Sequence, residues 1–169
     1  MKTKKLVLLG LLTAIALTIF MIEAAIPPLV PVPGVKLGLA NIVTVFAVFA
    51  IGPWEGFAIL LCRVFLGAVF AGNFSTILYS GAGGLCAIAI TVISRRFLTH
   101  KQLWVAGTLG AIAHSIGQMA AAVLISCTPG LVLYLPLMLV ISTVTGCFTG
   151  LCAQLLLNRG EKIWKTFLR

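Results

Sequence analysis

Hydrophobic runs separated by short breaks rich in glycine, proline or charge divide the chain into six segments. Runs of this kind are typical of transmembrane helices, which need about 20 apolar residues each. The pattern predicts an all-α, polytopic membrane protein with six transmembrane helices in one domain, residues 1–169. The approximate segments are Leu6–Ala25, Leu37–Ile51, Trp54–Ala71, Phe74–Ile93, Leu103–Ser126 and Leu131–Leu157.

The break between the first two segments is the least membrane-like part of the first half. It contains four of the seven prolines, Pro27, Pro28, Pro31 and Pro33. Proline fixes φ and has no amide hydrogen, so a stiff, extended loop is expected here, with Gly34 turning the chain back. Glu23, Lys36 and Asn41 flank the loop. They form either the rim of a binding site or a rigid hairpin with a lysine that reaches the membrane surface.

The composition excludes several classes of protein. Hydrophobic residues make up 61% of the 169 residues and charged residues only 9%, against roughly 25% charged residues in a soluble domain. Six spans leave no room for a soluble catalytic domain. The net charge of +9 does not indicate nucleic-acid binding, because the basic residues cluster at segment ends and form no continuous basic face.

The distribution of the basic residues predicts the topology. Ten of the twelve Lys and Arg residues lie in the N-terminus, in residues 95–101 and in the C-terminal tail. With six spans these three regions share one side of the membrane. Lys36 lies on the other side and Arg63 within the third segment. The positive-inside rule then predicts a multi-pass protein of the cell membrane with both termini cytoplasmic.

The cysteines and histidines do not suggest a metal site. The five cysteines lack CxxC spacing and lie in or beside apolar segments, so they are expected to be small apolar residues of the bundle interior. Two histidines, one in a cytoplasmic loop, are too few for a metal centre. No cofactor is predicted.

Two ionisable residues, Glu23 and Arg63, fall at membrane depth. Such groups are costly in the hydrocarbon and usually face the bundle interior with a partner. Their depths differ by under about 10 Å at 1.5 Å rise per residue, so an arginine side chain spans much of the gap. Either the two form an ion pair that only fixes packing, or Arg63 is held to receive an anionic group.

Further polar residues crowd toward the outer half of the bundle, which favours a pocket open to the outside over evenly spread interhelical hydrogen bonds. His114 and Gln118 share one face of the fifth segment at i, i+4 spacing. His114 taken alone is better explained as an interhelical hydrogen-bonding residue than as a ligand-binding one. The predicted substrate-binding residues are Glu23, Lys36, Asn41, Arg63, Asn73, Tyr79, His114 and Gln118. Lys36 and Arg63 indicate a small anionic substrate.

Small residues at i, i+4 spacing mark close helix contacts. Gly10, Ala14 and Thr18 form such a ladder in the inner half of the first segment. Gly107–Ala111 and Gly146–Gly150 repeat the spacing, and most such pairs are expected to pack within the bundle.

The run from Ile26 to Ile42, IPPLVPVPGVKLGLANI, resembles the membrane family known as heptaprenyl diphosphate synthase component I or Gx transporter. The third segment with its arginine and the glycine-rich fourth segment also fit. That family is in turn similar to the S-components of energy-coupling factor (ECF) transporters. The resemblance implies a six-helix bundle with both termini inside and an outward site under the loop that joins helices one and two.

The resemblance also implies partners. S-components dock through a small-residue face of the first helix onto a transmembrane coupling subunit, which works with ATPases; Gly10, Ala14 and Thr18 stand at that place here. The chain has no aspartate, whereas prenyl synthases hold magnesium and diphosphate with aspartates, and it has no nucleotide-binding loop. It is therefore predicted not to be an enzyme.

The sequence thus predicts the substrate-binding membrane subunit of an ECF-type vitamin or cofactor-precursor transporter. Its partners would be the solute, membrane lipid, the coupling subunit and the ATPases. The alternative is a non-transporting membrane component associated with isoprenoid or quinone biosynthesis or with a redox complex.

Overall fold

The computed structural model describes the backbone of residues 2–26 and 37–168 and the side chains of residues 3–26, 37–99 and 101–160. Within this part of the chain the secondary structure is helical, without strands. The α-helices are α1 (Lys2–Ala25), α2 (Asn41–Ala50), α3 (Pro53–Phe70), α4 (Ser75–Ser94), α5 (Leu103–Ser126) and α6 (Leu135–Leu168). Short 3-10 turns, His100–Gln102 and Pro129–Tyr134, precede α5 and α6. The predicted all-α class is confirmed.

The local sequence explains several helix ends. Pro53 occupies the first turn of α3, where its missing amide hydrogen leaves no helical bond unmade. Gly72 takes a positive φ of 63° in the turn before α4, a conformation that costs glycine little. Cys127 ends α5 in the left-handed conformation with φ 50°.

Five helices are long and apolar enough to cross a membrane: Thr3–Ala25, Pro53–Phe70, Ser75–Ser94, Leu103–Ser126 and Pro129–Gly160. Helix α2 is apolar but has only ten residues, about 15 Å of helix against a hydrocarbon layer of roughly 30 Å. The protein is therefore a multi-pass membrane protein, and its described residues form five long apolar helices and one short one.

Helix α2 lies at the centre of the bundle. It contacts α1, α3, α4, α5 and α6, and every residue from Val43 to Phe49 is buried. The second predicted segment began at Leu37, but the helix begins at Asn41 because residues 37–40 form a non-helical turn with Gly38 at φ 76°. A short helix suffices because its whole surface is covered by protein.

Helices that are consecutive in the chain alternate in direction. Lys5 forms a salt bridge with Glu55 at one end of α1 and α3, and Phe20 packs against Gly67 near the other end, so these two helices run parallel. Helices that follow one another in the chain are antiparallel, and the later ones touch at Leu60–Gly84, Gly83–Gln118, Gly110–Thr91, Gly107–Gly150 and Ser115–Ser142. The alternation places the start of α1 and the end of α6 at the same end of the bundle.

Glycines set the close contact between α5 and α6. A β-carbon added at Gly107 would lie 2.6 Å from the Gly150 Cα and 2.7 Å from the Gly146 carbonyl oxygen. Only hydrogen fits in that space, so the two backbones approach closely, as expected for small residues at this spacing.

The cysteines differ from the prediction. Cys62, Cys86 and Cys127 are exposed on the surface of the bundle, and Cys147 and Cys152 are only partly buried. The expectation of interior cysteines is wrong because a thiol is apolar enough to face lipid as readily as protein. All five are free.

Candidate ligand-binding site

Glu23, near the end of α1, anchors the turn that leads into α2. Its carboxylate accepts hydrogen bonds from the backbone N–H groups of Gly38 (2.6 Å) and Leu39 (3.0 Å). The side chain is 5% exposed. Two charge-assisted bonds to a buried carboxylate fix the start of α2 against α1.

Asn41 and His114 meet at Gly38, although they come from α2 and α5. A β-carbon at Gly38 would lie 2.9 Å from Asn41 Nδ2, 3.4 Å from His114 Cδ2 and 3.6 Å from His114 Nε2. Both side chains are buried. The turn at Gly38 thus brings the first residue of α2 beside the middle of α5.

Gly83 of α4 holds the other side of His114. A β-carbon there would lie 3.0 Å from His114 Cε1, 2.9 Å from the His114 carbonyl oxygen and 2.7 Å from Gln118 Cγ. Gln118 follows His114 by one turn of α5 and is fully buried. The imidazole therefore lies between α2 and α4, with a carboxamide on each side.

Arg63, in the middle of α3, is 2% exposed and lies within electrostatic reach of both Glu23 and His114. Its Nε and Nη2 atoms have no hydrogen-bond partner among the residues that the structure describes. These two nitrogens lie on the same edge of the guanidinium, the edge that grips a carboxylate or phosphate with two parallel bonds.

These residues form what we call the buried polar cluster: Asn41, Thr44, Arg63, His114 and Gln118. Within the described part of the chain it contains side-chain atoms that are buried and make no hydrogen bond. They are Asn41 Nδ2 and Oδ1, Thr44 Oγ1, Arg63 Nε and Nη2, His114 Nδ1, and Gln118 Nε2 and Oε1. Each unmade buried bond costs about 1–3 kcal/mol. A concentration of such atoms at one place indicates that the bundle is built to bind something polar there.

The structure brings together five of the eight predicted binding residues, namely Glu23, Asn41, Arg63, His114 and Gln118. Glu23 serves the backbone of the α2 turn, and the other four contribute the unpartnered atoms. Lys36 and the proline-rich segment lie outside the described residues.

Two predicted residues lie elsewhere. Asn73 is exposed, and its side-chain oxygen accepts a hydrogen bond from the Ser75 backbone N–H (3.1 Å), so it fastens the start of α4. Tyr79 is buried in a separate apolar cluster with Met119, Ala122 and Met138. Neither contributes to the unpartnered atoms of the buried polar cluster.

Thr44 is a member of the cluster that the sequence analysis missed. It lies three residues after Asn41 on α2 and is 3% exposed. A single threonine in an apolar helix carries little signal, because its hydroxyl usually bonds the preceding turn. Its i, i+3 spacing from Asn41 indicates that the two side chains share one face of α2.

The small-residue ladder of α1 points away from the rest of the bundle. Gly10, Ala14 and Thr18 are all exposed, and a β-carbon at Gly10 would meet nothing within 4 Å. The Thr18 hydroxyl donates to the Ala14 carbonyl oxygen and so is satisfied within its own helix. This face is open, unlike the glycines of α5 and α6.

Metal binding finds no support in the described residues, where His, Cys, Asp and Glu form no group of three or more suited to an ion. The chemistry that the cluster offers is hydrogen bonding, from one guanidinium, one imidazole, two carboxamides and a hydroxyl.

Comparison with known proteins gives one family. A family model described as "Heptaprenyl diphosphate synthase component I" matches residues 12–156, which is most of the chain and includes every residue of the buried polar cluster. The comparisons with curated proteins and with solved structures give no match.

Proposed function

Since the chain belongs to the heptaprenyl diphosphate synthase component I family, we propose that it is a non-catalytic membrane subunit that binds a small anionic solute. The solute binds at the buried polar cluster from the outer side of the membrane. The subunit then acts in uptake, in the manner of an ECF S-component. The observation that carries this proposal is the set of unpartnered polar atoms drawn from α2, α3 and α5.

Burial in a membrane protein makes these atoms expensive to keep. Neither lipid nor the surrounding apolar side chains offer them hydrogen bonds. A purely structural bundle would be more stable with leucine at these places, since replacing unpartnered polar groups by apolar ones of the same shape removes the penalty. Solute binding supplies the missing partners and explains why the groups are present.

Arg63 supports an anionic solute. Its free Nε and Nη2 edge is a ready fork for a carboxylate or phosphate. Glu23 already engages two backbone N–H groups, so it competes less with a bound anion than a free carboxylate would.

Release of retained ligand tests the proposal. The protein is purified in mild detergent, denatured, and the released small molecules are identified by mass spectrometry. We expect a small acidic compound from the wild type and its loss from Arg63→Gln, with retention in Arg95→Gln, an arginine at the end of α4. Equal release from wild type and Arg63→Gln would contradict the proposed role of Arg63.

The open face of α1 supports docking of a coupling subunit. Gly10 has free space around it, so Gly10→Leu leaves the fold of the isolated protein intact while filling a surface that a partner helix needs. Affinity purification from the native membrane should recover a transmembrane subunit and ATPases with the wild type, and much less of both with Gly10→Leu.

The family description favours a second candidate, a non-catalytic partner of a prenyl diphosphate synthase. The chain contains no aspartate, so a partner would have to provide the usual magnesium ligands. Co-purification of a prenyl synthase without ATPases, together with no retained small acid, would favour this function over uptake.

A further inference from the structure

The buried polar cluster contains two complete carboxamides that no described residue satisfies. Asn41 lacks a partner for both Nδ2 and Oδ1, and Gln118 lacks one for both Nε2 and Oε1. They are 6% and 0% exposed. Each therefore presents a donor beside an acceptor, and neither group can reach bulk water.

An anion alone does not account for these groups. A carboxylate or phosphate offers only acceptors, so it satisfies the guanidinium and the amide nitrogens but leaves both amide oxygens unpaired. The oxygens need N–H or O–H donors on the ligand. A flat group with an N–H next to a C=O matches a carboxamide with two parallel bonds, as asparagine and glutamine do when they read the edge of a nucleic-acid base.

The positions of the groups agree with a compact ligand of this type. His114 approaches Gly38 and Asn41 on one side and Gly83 and Gln118 on the other. Arg63 is within electrostatic reach of His114. The acid-binding edge of Arg63 and the two carboxamides thus lie near the same side chain, His114.

We propose that the ligand is a small acid that also carries an amide-type edge, a lactam, imide or ureide, which Asn41 and Gln118 recognise while Arg63 holds the acid. The inference rests on the proposed function, because it names the class of solute for the same cluster. The carboxamides determine specificity among acids, and Arg63 supplies the attraction common to all of them.

Matched ring compounds test this chemistry. Orotate carries both a carboxylate and a ureide edge, benzoate has the acid on a ring of the same size without the edge, and uracil has the edge without the acid. Binding of each to the protein in lipid nanodiscs is measured by titration into the millimolar range. We expect orotate to bind more tightly than benzoate by at least about 5- to 150-fold, the range of one well-formed bidentate pair.

Gln118→Met separates recognition from folding. It should reduce orotate affinity toward that of benzoate, lower benzoate affinity by a much smaller factor, and keep or raise the melting temperature, because an unpartnered buried amide is removed. Asn41→Leu should act in the same direction. Gln154→Met is the control, since Gln154 lies roughly 20 Å farther along the bundle axis, near the inner end; it should leave both affinities unchanged.

The outcomes distinguish the inference from the proposed function. Equal affinity for orotate and benzoate, both lost in Arg63→Gln, overturns the amide-edge inference and leaves solute binding in place. A Gln118→Met variant that melts lower and binds orotate normally assigns the amide to packing and also overturns it. If none of the probes binds, the amide-edge inference is overturned as well. If, in addition, the purified protein releases no acid, the proposed solute-binding function is also overturned.

Discussion

Glu23 illustrates how a single ionisable residue in a membrane helix acquires a role that its position does not reveal. Its depth placed it among the predicted ligand-binding residues. Its carboxylate instead accepts the N–H groups of Gly38 and Leu39, which are otherwise unprotected at the head of a helix. The residue positions the site by holding the α2 turn in place.

Substitution of Glu23 by glutamine should destabilise the protein. The carboxamide keeps one acceptor but turns an NH₂ toward the second backbone N–H, which leaves that buried donor unpaired. The expected loss is about 1–3 kcal/mol in the free energy of unfolding, measured by denaturant titration in detergent micelles. Ligand affinity should fall as well, because the turn that places Asn41 loosens.

Glu55→Gln is the matched control. Glu55 is also a carboxylate with a bonded partner, but that partner is the side chain of Lys5, which is 47% exposed, and an exposed pair contributes about 1 kcal/mol or less. If Glu55→Gln proves as destabilising as Glu23→Gln, the hydrogen bonds that Glu23 accepts from the backbone do not account for the loss of stability.

The position of a polar residue along its helix does not by itself predict which side chains it will meet. Arg63, His114 and Gln118 were selected for their depth and do come together. Asn73 and Tyr79 were selected on the same grounds, but Asn73 is bonded to Ser75 and Tyr79 packs among apolar side chains. The helices in question are apolar on nearly all sides, so their sequences do not show which face meets a neighbour.

At the level of elements, α2 departs most from the prediction. Apolar residues before Asn41 extend the hydrophobic segment, but the backbone at Gly38 takes φ 76° and interrupts it. A hydropathy profile does not detect a turn that consists of apolar residues and is buried in protein. Non-helical backbone is tolerated at membrane depth when side chains satisfy it, and Glu23 does so here.

Gly38→Ala should weaken both folding and ligand binding. A left-handed conformation costs a non-glycine residue about 1–2 kcal/mol. In addition the new methyl would lie 2.9 Å from Asn41 Nδ2 and 3.4 Å from His114 Cδ2, so both side chains must shift. Isothermal titration with the ligand, alongside thermal unfolding, measures the two effects.

Gly72→Ala isolates the contribution of the contacts. Gly72 also has a positive φ, 63°, but nothing lies within 4 Å of an added β-carbon. The Gly72→Ala variant should lose only the stability that a left-handed backbone conformation costs an alanine, and it should bind ligand normally. A binding defect of equal size in both variants would show that Gly38 acts only through the backbone.

The glycine contact between α5 and α6 gives a prediction of its own. In Gly107→Ala the new methyl meets backbone atoms of Gly150 and Gly146 at under 3 Å, so the helices must separate and the protein should lose at least about 1 kcal/mol. Gly81→Ala, on α4 with open space around it, should instead gain about 0.5–1 kcal/mol from helix propensity. If the packing is as described, the changes in the free energy of unfolding of the two variants relative to the wild type therefore have opposite signs.

For the whole molecule, the sequence predicts the all-α fold class and the place of the long apolar helices well, because long apolar runs and the breaks between them are strong signals. The fifth helix has the predicted bounds, Leu103–Ser126. The central position of α2 could not be predicted, since it depends on which helices pack together. The buried polar cluster depends on that arrangement, because α2 brings Asn41 and Thr44 to the middle of the bundle.

The distribution of charge predicts the orientation of the bundle in the membrane. The alternating helix directions place the ends near Lys5, Glu55 and Arg95 together, and the basic residues concentrate at this end. Cys127, in the turn after α5, lies at the opposite end and is exposed. Since cytoplasmic segments are enriched in Lys and Arg, we expect Cys127 to face the outside of the cell.

Labelling of intact cells with a membrane-impermeant maleimide tests this orientation. In a variant whose other four cysteines are replaced by alanine, Cys127 should react before the cells are opened. The control removes Cys127 as well and carries Phe97→Cys, a highly exposed position between α4 and α5, which should react only after lysis. The reverse pattern would invert the bundle and place the polar cluster nearer the cytoplasm. Solute would then be taken from inside the cell, so the uptake function would fail even if the ligand and its contacts were as proposed.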